Sequence, residues 1–412
     1  MRIKKSLIVC VLSMVVGCAY GAANAVPQDG DRNLPVPGKD PWLLSLTAAA
    51  HYDDNRDGFK TNAVGNLDLI LRPRAALLYN LDETFLSMFY EPAYTWHSNP
   101  RTIEEGNPQK RAEWFQVVGL DIARQINPLV GFKAGDVFAY TDSPEITQGG
   151  VAVRDNNSYV GNRVYGSADL TPSRVTYARL DGMYSLKRYT EPLIAETQNE
   201  DLLDSAATAG YMLVPGMNAF GQLGYSMFDN SYTNWNRGST VFTYAGGLEK
   251  VFNPNFSGKL TAGYQQAEYA DSSIGASKDG WMTRIEGTLG GAGLTRLRLL
   301  IEHGFYMPYV QPYSIQEMLT FRAAVEHDVT RDLVLSVFGQ YTDSTYPAEQ
   351  TPVNSVDLPG GADRMTDMGV RANYRITRYF SCAVGYGFQN WDSEVRESYS
   401  HNMFDLSITG QL

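Results

Sequence analysis

From Phe404 to the C-terminus the chain alternates without a break. Phe404, Leu406, Ile408, Gly410 and Leu412 hold one parity, and Asp405, Ser407, Thr409 and Gln411 hold the other. A period of two is the mark of a strand with one dry and one wet face. The preceding run repeats it, with Phe380, Cys382, Val384, Tyr386 and Phe388 against Ser381, Ala383, Gly385, Gly387 and Gln389. One run earlier, Met368, Val370, Ala372, Tyr374 and Ile376 stand against Asp367, Gly369, Arg371, Asn373 and Arg375. Such runs fill the chain from residue 42 onward. Short turn signals join them in pairs, among them Asn80-Leu81-Asp82-Glu83, Ile126-Asn127-Pro128, Val214-Pro215-Gly216 and Asn253-Pro254-Asn255. Asn, Asp, Gly and Pro supply or preset the dihedrals that tight turns need. The far ends of the runs open into longer polar segments, such as 98–110, 188–204 and 343–363.

This pattern predicts eighteen strands over 42–412, including 205–214, 364–376, 379–391 and 400–412. Sixteen is the alternative, if 42–52 and one partner do not pair. A soluble sandwich also alternates, but its strands average about 5–6 residues, well short of these runs. The fold class read here is all-β, a transmembrane up-and-down antiparallel β-barrel. Its dry parity meets lipid, its tight turns face the periplasm and its long loops face outward. The uncharged stretch from Ser205 to Phe228 is long enough for a spanning helix. Gly210, Pro215, Gly216, Gly221 and Gly224 break it into strand, turn and strand.

The N-terminus predicts export. Arg2, Lys4 and Lys5 precede a short apolar run, Leu7 to Val16, and Ala23-Asn24-Ala25 follows as a cleavage site. The chain therefore divides into a cleaved signal peptide (1–25), a periplasmic N-terminal segment (26–41) and the barrel (42–412). Val15-Val16-Gly17-Cys18 offers a rival, lipoprotein-type cleavage. Cys10 and Cys18 belong to the leader, which leaves Cys382 alone in the mature chain, read as a small hydrophobe on the apolar parity.

Composition changes the picture little. Hydrophobic residues make up 43%, a value that a barrel shares with soluble proteins because only alternate residues face lipid. The net charge of −11 argues against nucleic acid, which needs clustered Lys and Arg. The five histidines show no metal spacing, and neither a G-x-S-x-G elbow nor a P-loop occurs. No enzyme, cofactor or metal is expected. Trp96, Trp114, Trp281 and Trp391 fall where runs meet long loops and Trp42 at the opposite rim, a placement read as an aromatic girdle.

Charges on the lipid face cost roughly 2–4 kcal/mol at midplane, so the polar parity is assigned to the lumen. It carries Arg284, Glu286, Arg296, Arg298, Glu302, Arg322, Glu326, Asp367, Arg371, Arg375 and Asp405. With Asp68, Glu91 and Asp121 on earlier runs, one wall is expected to be basic and the other acidic.

His51-Tyr52-Asp53-Asp54-Asn55-Arg56, followed by Asn66-Leu67-Asp68-Leu69-Ile70-Leu71-Arg72-Pro73, resembles the opening of the outer-membrane β-barrel porins of the second type. That family carries a Tyr-Asp-x-Asn element and then an apolar strand ending in Pro. The similarity of pattern runs over nearly all of the mature chain. It implies a porin of a Gram-negative outer membrane, and, because some members sit beside exopolysaccharide-secretion systems, sugar polymers as a cargo. Asp53, Asp54 and Asn55 themselves read as a polar hairpin loop rather than a calcium site. The function expected is passive diffusion of small polar solutes. The alternatives are export of exopolysaccharide or oligosaccharide, or a structural or adhesive barrel with a filled lumen. Partners expected are outer-membrane lipid, lipopolysaccharide, the barrel-assembly machinery and the solutes or saccharides themselves.

Overall fold

The computed structural model of the chain describes residues 41–412 except 56–62, 100–110, 142–144, 149–150, 155–157, 191–194, 196–198, 233–234, 272–273, 276, 291–293, 307, 309–312 and 351–356. The leader, both cleavage sites and residues 26–40 lie outside the described residues.

Eighteen long strands follow one another: β1 (Trp42–Asp53), β2 (Asn66–Leu81), β3 (Thr84–His97), β4 (Ala112–Asn127), β5 (Val130–Thr141), β6 (Tyr159–Leu170), β7 (Thr176–Tyr189), β8 (Glu200–Val214) and β9 (Met217–Asp229) make the first half. The second half is β10 (Ser239–Asn253), β11 (Phe256–Tyr269), β12 (Lys278–Leu289), β13 (Thr295–Tyr306), β14 (Gln316–Asp328), β15 (Leu333–Tyr346), β16 (Gly361–Arg375), β17 (Phe380–Ser393) and β18 (Tyr399–Gln411). Each pairs antiparallel with its neighbours in sequence, and β1 pairs with β18, so the sheet closes on itself. Closure leaves no edge of unpaired N–H and C=O groups, the condition for crossing hydrocarbon with strands. The eighteen-strand count holds and the sixteen-strand alternative falls, because β1 pairs with β2 along its whole length and with β18 from Ser45 to Asp53.

Directly opposed residues in a ladder share a face. Leu46, Val337, Val370, Val384, Leu406 and Ile408 lie on one face and are all at least half or nearly half exposed. An unbroken band of exposed Leu, Val, Ile and Phe around a closed sheet has lipid as its natural solvent. The other face holds Asp405, Ser407, Thr409 and their cross-strand partners His51, Ala49 and Thr47.

Side chains finish the turns as the sequence suggests. Asn127 Oδ1 accepts from the backbone N–H of Leu129 and Val130. Ser173 Oγ accepts from Val175 and Thr176, and Thr377 Oγ1 from Tyr379 and Phe380. Gly216 sits at φ +79°, where an added Cβ would meet the Val251 carbonyl oxygen at 2.9 Å. Only glycine accepts that position without strain.

Two expectations are corrected. The run 205–214 begins earlier, at Glu200, because backbone pairing with β7 continues past the apolar band. There Arg188 donates to the Glu200 carbonyl and pairs with Asp201, so polar side chains support a ladder that hydrophobic periodicity does not mark. Trp42, Trp114 and Trp281 do point outward, but Trp391 is buried on the inner face. It stacks with Tyr399, and the Arg396 guanidinium lies 3.9 Å from its ring centre.

The Asp53-Asp54-Asn55 element closes the seam. Asp53 is 2% exposed, accepts from the Asn55 backbone N–H at 2.9 Å, and lies 3.1 Å through both oxygens from His401 Nδ1. Asp54 accepts from the backbone N–H and side-chain amide of Asn402, each at 2.7 Å. Asn55 donates to the Ser400 carbonyl. The first and last strands are thus clasped at the loop end by three consecutive side chains.

Candidate functional site: the lumen wall

The polar parity of β12–β18 forms the inner wall, and registers place its charges next to one another. Arg284 on β12 opposes Glu302 on β13. Its guanidinium lies 3.2 Å from Glu302 and 2.6 Å from Glu286. Arg296 reaches Glu326 at 3.2 Å and Asp328 at 2.6 Å on β14. Arg322 faces the carboxylates of Asp367 and Glu302. Arg371 donates to Asn373. Asp405 lies 2.7 Å from His51 across the closing seam. Arg375 shares the parity but belongs to the turn rim, where it binds Asp332 at 2.7 Å. Arg298 differs from all of these. It is exposed and has no ion-pair or hydrogen-bond partner among the described residues.

The expected division into a basic and an acidic wall does not hold. Arg72 and Arg74 of β2 share the inner face with Glu91 of β3, at 3.6 and 3.7 Å. Arg179 of β7 lies 2.8 Å from Asp181 and 3.7 Å from Asp169. Cations therefore line both walls, and Arg72, Arg74, Arg179, Arg284 and Arg296 each stand beside carboxylates. Local pairing cancels the far field that a segregated arrangement would create.

Exposure divides the inner face by height. At the loop end it is covered. Gln316, Thr320, Thr342, Ser344 and Met365 are buried although they face inward. Ile315, just before β14, packs on Val241 and Ala267, inner-face residues of β10 and β11. Ile315 therefore covers this part of the inner face from the loop side. Glu349, on the connection between β15 and β16, is 1% exposed and accepts from the Ser314 backbone N–H at 2.9 Å and its hydroxyl at 3.1 Å. Burial pushes the Glu349 carboxyl above its ordinary range, against the Ser314 and Ile315 hydrogen bonds and the Arg237 charge that favour the anion. Tyr313 stacks near Tyr346, ring centres 4.8 Å apart, and donates to the Pro359 carbonyl. Nearer the turn end the same face is open: Arg298 is exposed, Phe338 is 36% exposed and the Asp405 side chain is 50% exposed.

Sequence reading missed Phe338 and Glu349. Phe338 is legible in hindsight, because it is an apolar ring on the wet parity of Ser336, Gln340 and Thr342. Glu349 gives no such signal, because nothing in a polar segment marks which carboxylate will be buried. Among the described residues no group of three or more His, Cys, Asp or Glu side chains is arranged to hold a metal ion.

No curated protein matches the chain. Among solved structures it is similar to the outer-membrane protein OpdK (OccK1) of Pseudomonas aeruginosa, with a TM-score of 0.48, 9% identity, and coverage of 90% of this chain and 99% of that one. It is also similar to OccAB4 of Acinetobacter baumannii, with a TM-score of 0.46, 11% identity, and coverage of 90% and 98%. The siderophore receptor PirA of Pseudomonas aeruginosa gives 0.46, 8%, 90% and 80%. At such values the likeness extends to no ligand or solute. The family described as "Putative beta-barrel porin 2" matches residues 147–412, downstream of the motifs at 51–73 that first suggested the resemblance. With well over half of its length matched, the chain belongs to that family.

Proposed function

We propose that this chain is a passive, non-enzymatic diffusion channel for small polar solutes in the outer membrane of a Gram-negative cell. The observation that carries the reading is the exposure of inner-face side chains in the turn-side half: Arg298, Phe338 and Asp405. A filled lumen would bury such groups against one another, as the loop end buries Glu349 and Gln316. In this reading the buried cluster of Tyr313, Ser314, Ile315, Tyr346 and Glu349 at the loop end marks the narrow zone, and the charged wall below it sets which solutes dwell. Close pairing of Arg284, Arg296 and Arg179 with carboxylates keeps the wall polar without a strong net preference for either sign of small ion.

The test is single-channel recording of the mature chain, residues 26–412, refolded into a planar bilayer. Stable conductance steps with weak ion selectivity are expected. Electrical silence from a barrel shown to be folded by heat-modifiable gel migration would refute the channel.

A further inference from the structure

One row of the inner wall combines two features that are rare in a polar lumen. Arg298 on β13 opposes Ala324 on β14, which opposes Phe338 on β15, which opposes Gly369 on β16 and then Gly387 on β17. On the other side Arg298 opposes Thr288 of β12. An exposed guanidinium and an exposed phenyl ring thus stand two strands apart, roughly 10 Å at the usual strand spacing. Only an alanine stands between them. Beyond the ring the next two positions are glycines: a Cβ on Gly369 would come within 2.5 Å of the Phe338 ring, so the ring rests over Gly369, while the Met403 side chain lies against Gly387.

The carboxylates diagonal to Arg298 are already engaged. Glu286 is bound by Arg284 and Glu326 by Arg296. Arg298 therefore keeps its donors for something in the lumen. A guanidinium presents a planar fork that matches a carboxylate. A phenyl ring left about one-third exposed gains from covering by another apolar surface. We infer that this row is a subsite for small organic carboxylates that carry a ring or other compact apolar group, with Arg298 receiving the carboxylate and Phe338 the apolar part. The site lies in the space that the channel reading leaves open to solvent, and so rests on that reading.

Binding and conduction test the two readings separately. The probes are benzoate, acetate and benzyl alcohol, presented to the full mature barrel in detergent and followed by saturation-transfer NMR and titration. Benzoate should bind about tenfold more tightly than either other probe. Arg298→Gln should weaken benzoate about tenfold and leave benzyl alcohol unchanged. Phe338→Ala should bring benzoate to the level of acetate, and Arg298→Lys should retain part of the affinity. In bilayers benzoate should interrupt the current in wild type and not in Arg298→Gln. Arg298 and Phe338 are both exposed, so the variants should show the wild-type heat-modifiable shift. A barrel that conducts but binds all three probes alike, or is indifferent to both substitutions, would overturn the subsite and leave the channel. A silent barrel that still binds benzoate through Arg298 would overturn the channel and leave the subsite.

Discussion

The clasp at the seam gives the sharpest structural prediction, and its size follows from two donors. Asp53→Ala removes a carboxylate that is 2% exposed. The Asn55 N–H, held at 2.9 Å, and His401 Nδ1, held at 3.1 Å, both lose their acceptor in a site with little access to water. A buried donor left unsatisfied costs about 1–3 kcal/mol. Two such groups give about 3 kcal/mol. With a urea dependence of about 3 kcal/mol/M for a chain of this size, the unfolding midpoint should fall by about 1 M. The assay is urea unfolding in lipid vesicles, read by heat-modifiable migration and by tryptophan fluorescence. His401→Ala, made alone and together with Asp53→Ala, completes a double-mutant cycle. A coupling of about 1–2 kcal/mol is expected for partners in direct contact. A midpoint change under about 0.3 M, or a strictly additive cycle, would refute the clasp and return these residues to the status of an ordinary polar loop.

Three further outcomes are expected. Leu406 faces lipid and Ser407 the lumen, so Leu406→Arg should cost roughly 2–4 kcal/mol while Ser407→Arg folds with little loss, measured by the same unfolding assay. Gly216→Ala places a Cβ 2.9 Å from the Val251 carbonyl oxygen at φ +79°, and should lower stability by about 1–2 kcal/mol. Burial raises the Glu349 carboxyl, so the closed loop core binds its proton more tightly than an opened one. Its stability is full below the ordinary carboxylate value and is lost as pH rises through the raised one. Hydrogen exchange at the Ser314 and Ile315 amides, corrected for intrinsic rate, should therefore show more frequent opening at neutral than at acid pH, and Glu349→Gln should flatten that dependence.

The sequence alone narrowed the strand number to eighteen or sixteen, and pairing of β1 with both β2 and β18 decided it. The sequence alone determined the parity of nearly every strand and the position of the tight turns. These are local properties. Lipid on one face and water on the other force a period of two, and short turns demand Asn, Gly and Pro, so the pattern of β16, β17 and β18 could be read residue by residue. The charged set from Arg284 to Asp405 followed from parity alone, and cross-strand registers put its members beside one another. Tertiary structure decided what parity cannot encode. Whether Arg296 meets Glu326, or Arg298 stands without a partner among the described residues, depends on cross-strand register, which no single strand carries. The earlier strands turned out to bring Arg72, Arg74 and Arg179 to the wall, so charge is paired locally and not divided between walls. Trp391 lies on the wet parity of Gly387 and Gln389, but its burial against Tyr399 and Arg396 is a contact between segments that neither parity nor the girdle rule carries. Asp53 became a clasp only when the last strand brought His401 and Asn402 beside it, more than three hundred residues away in the chain. Alternation is written in neighbours, while closure, pairing and the shape of the lumen belong to residues that meet only once the sheet has curled round on itself.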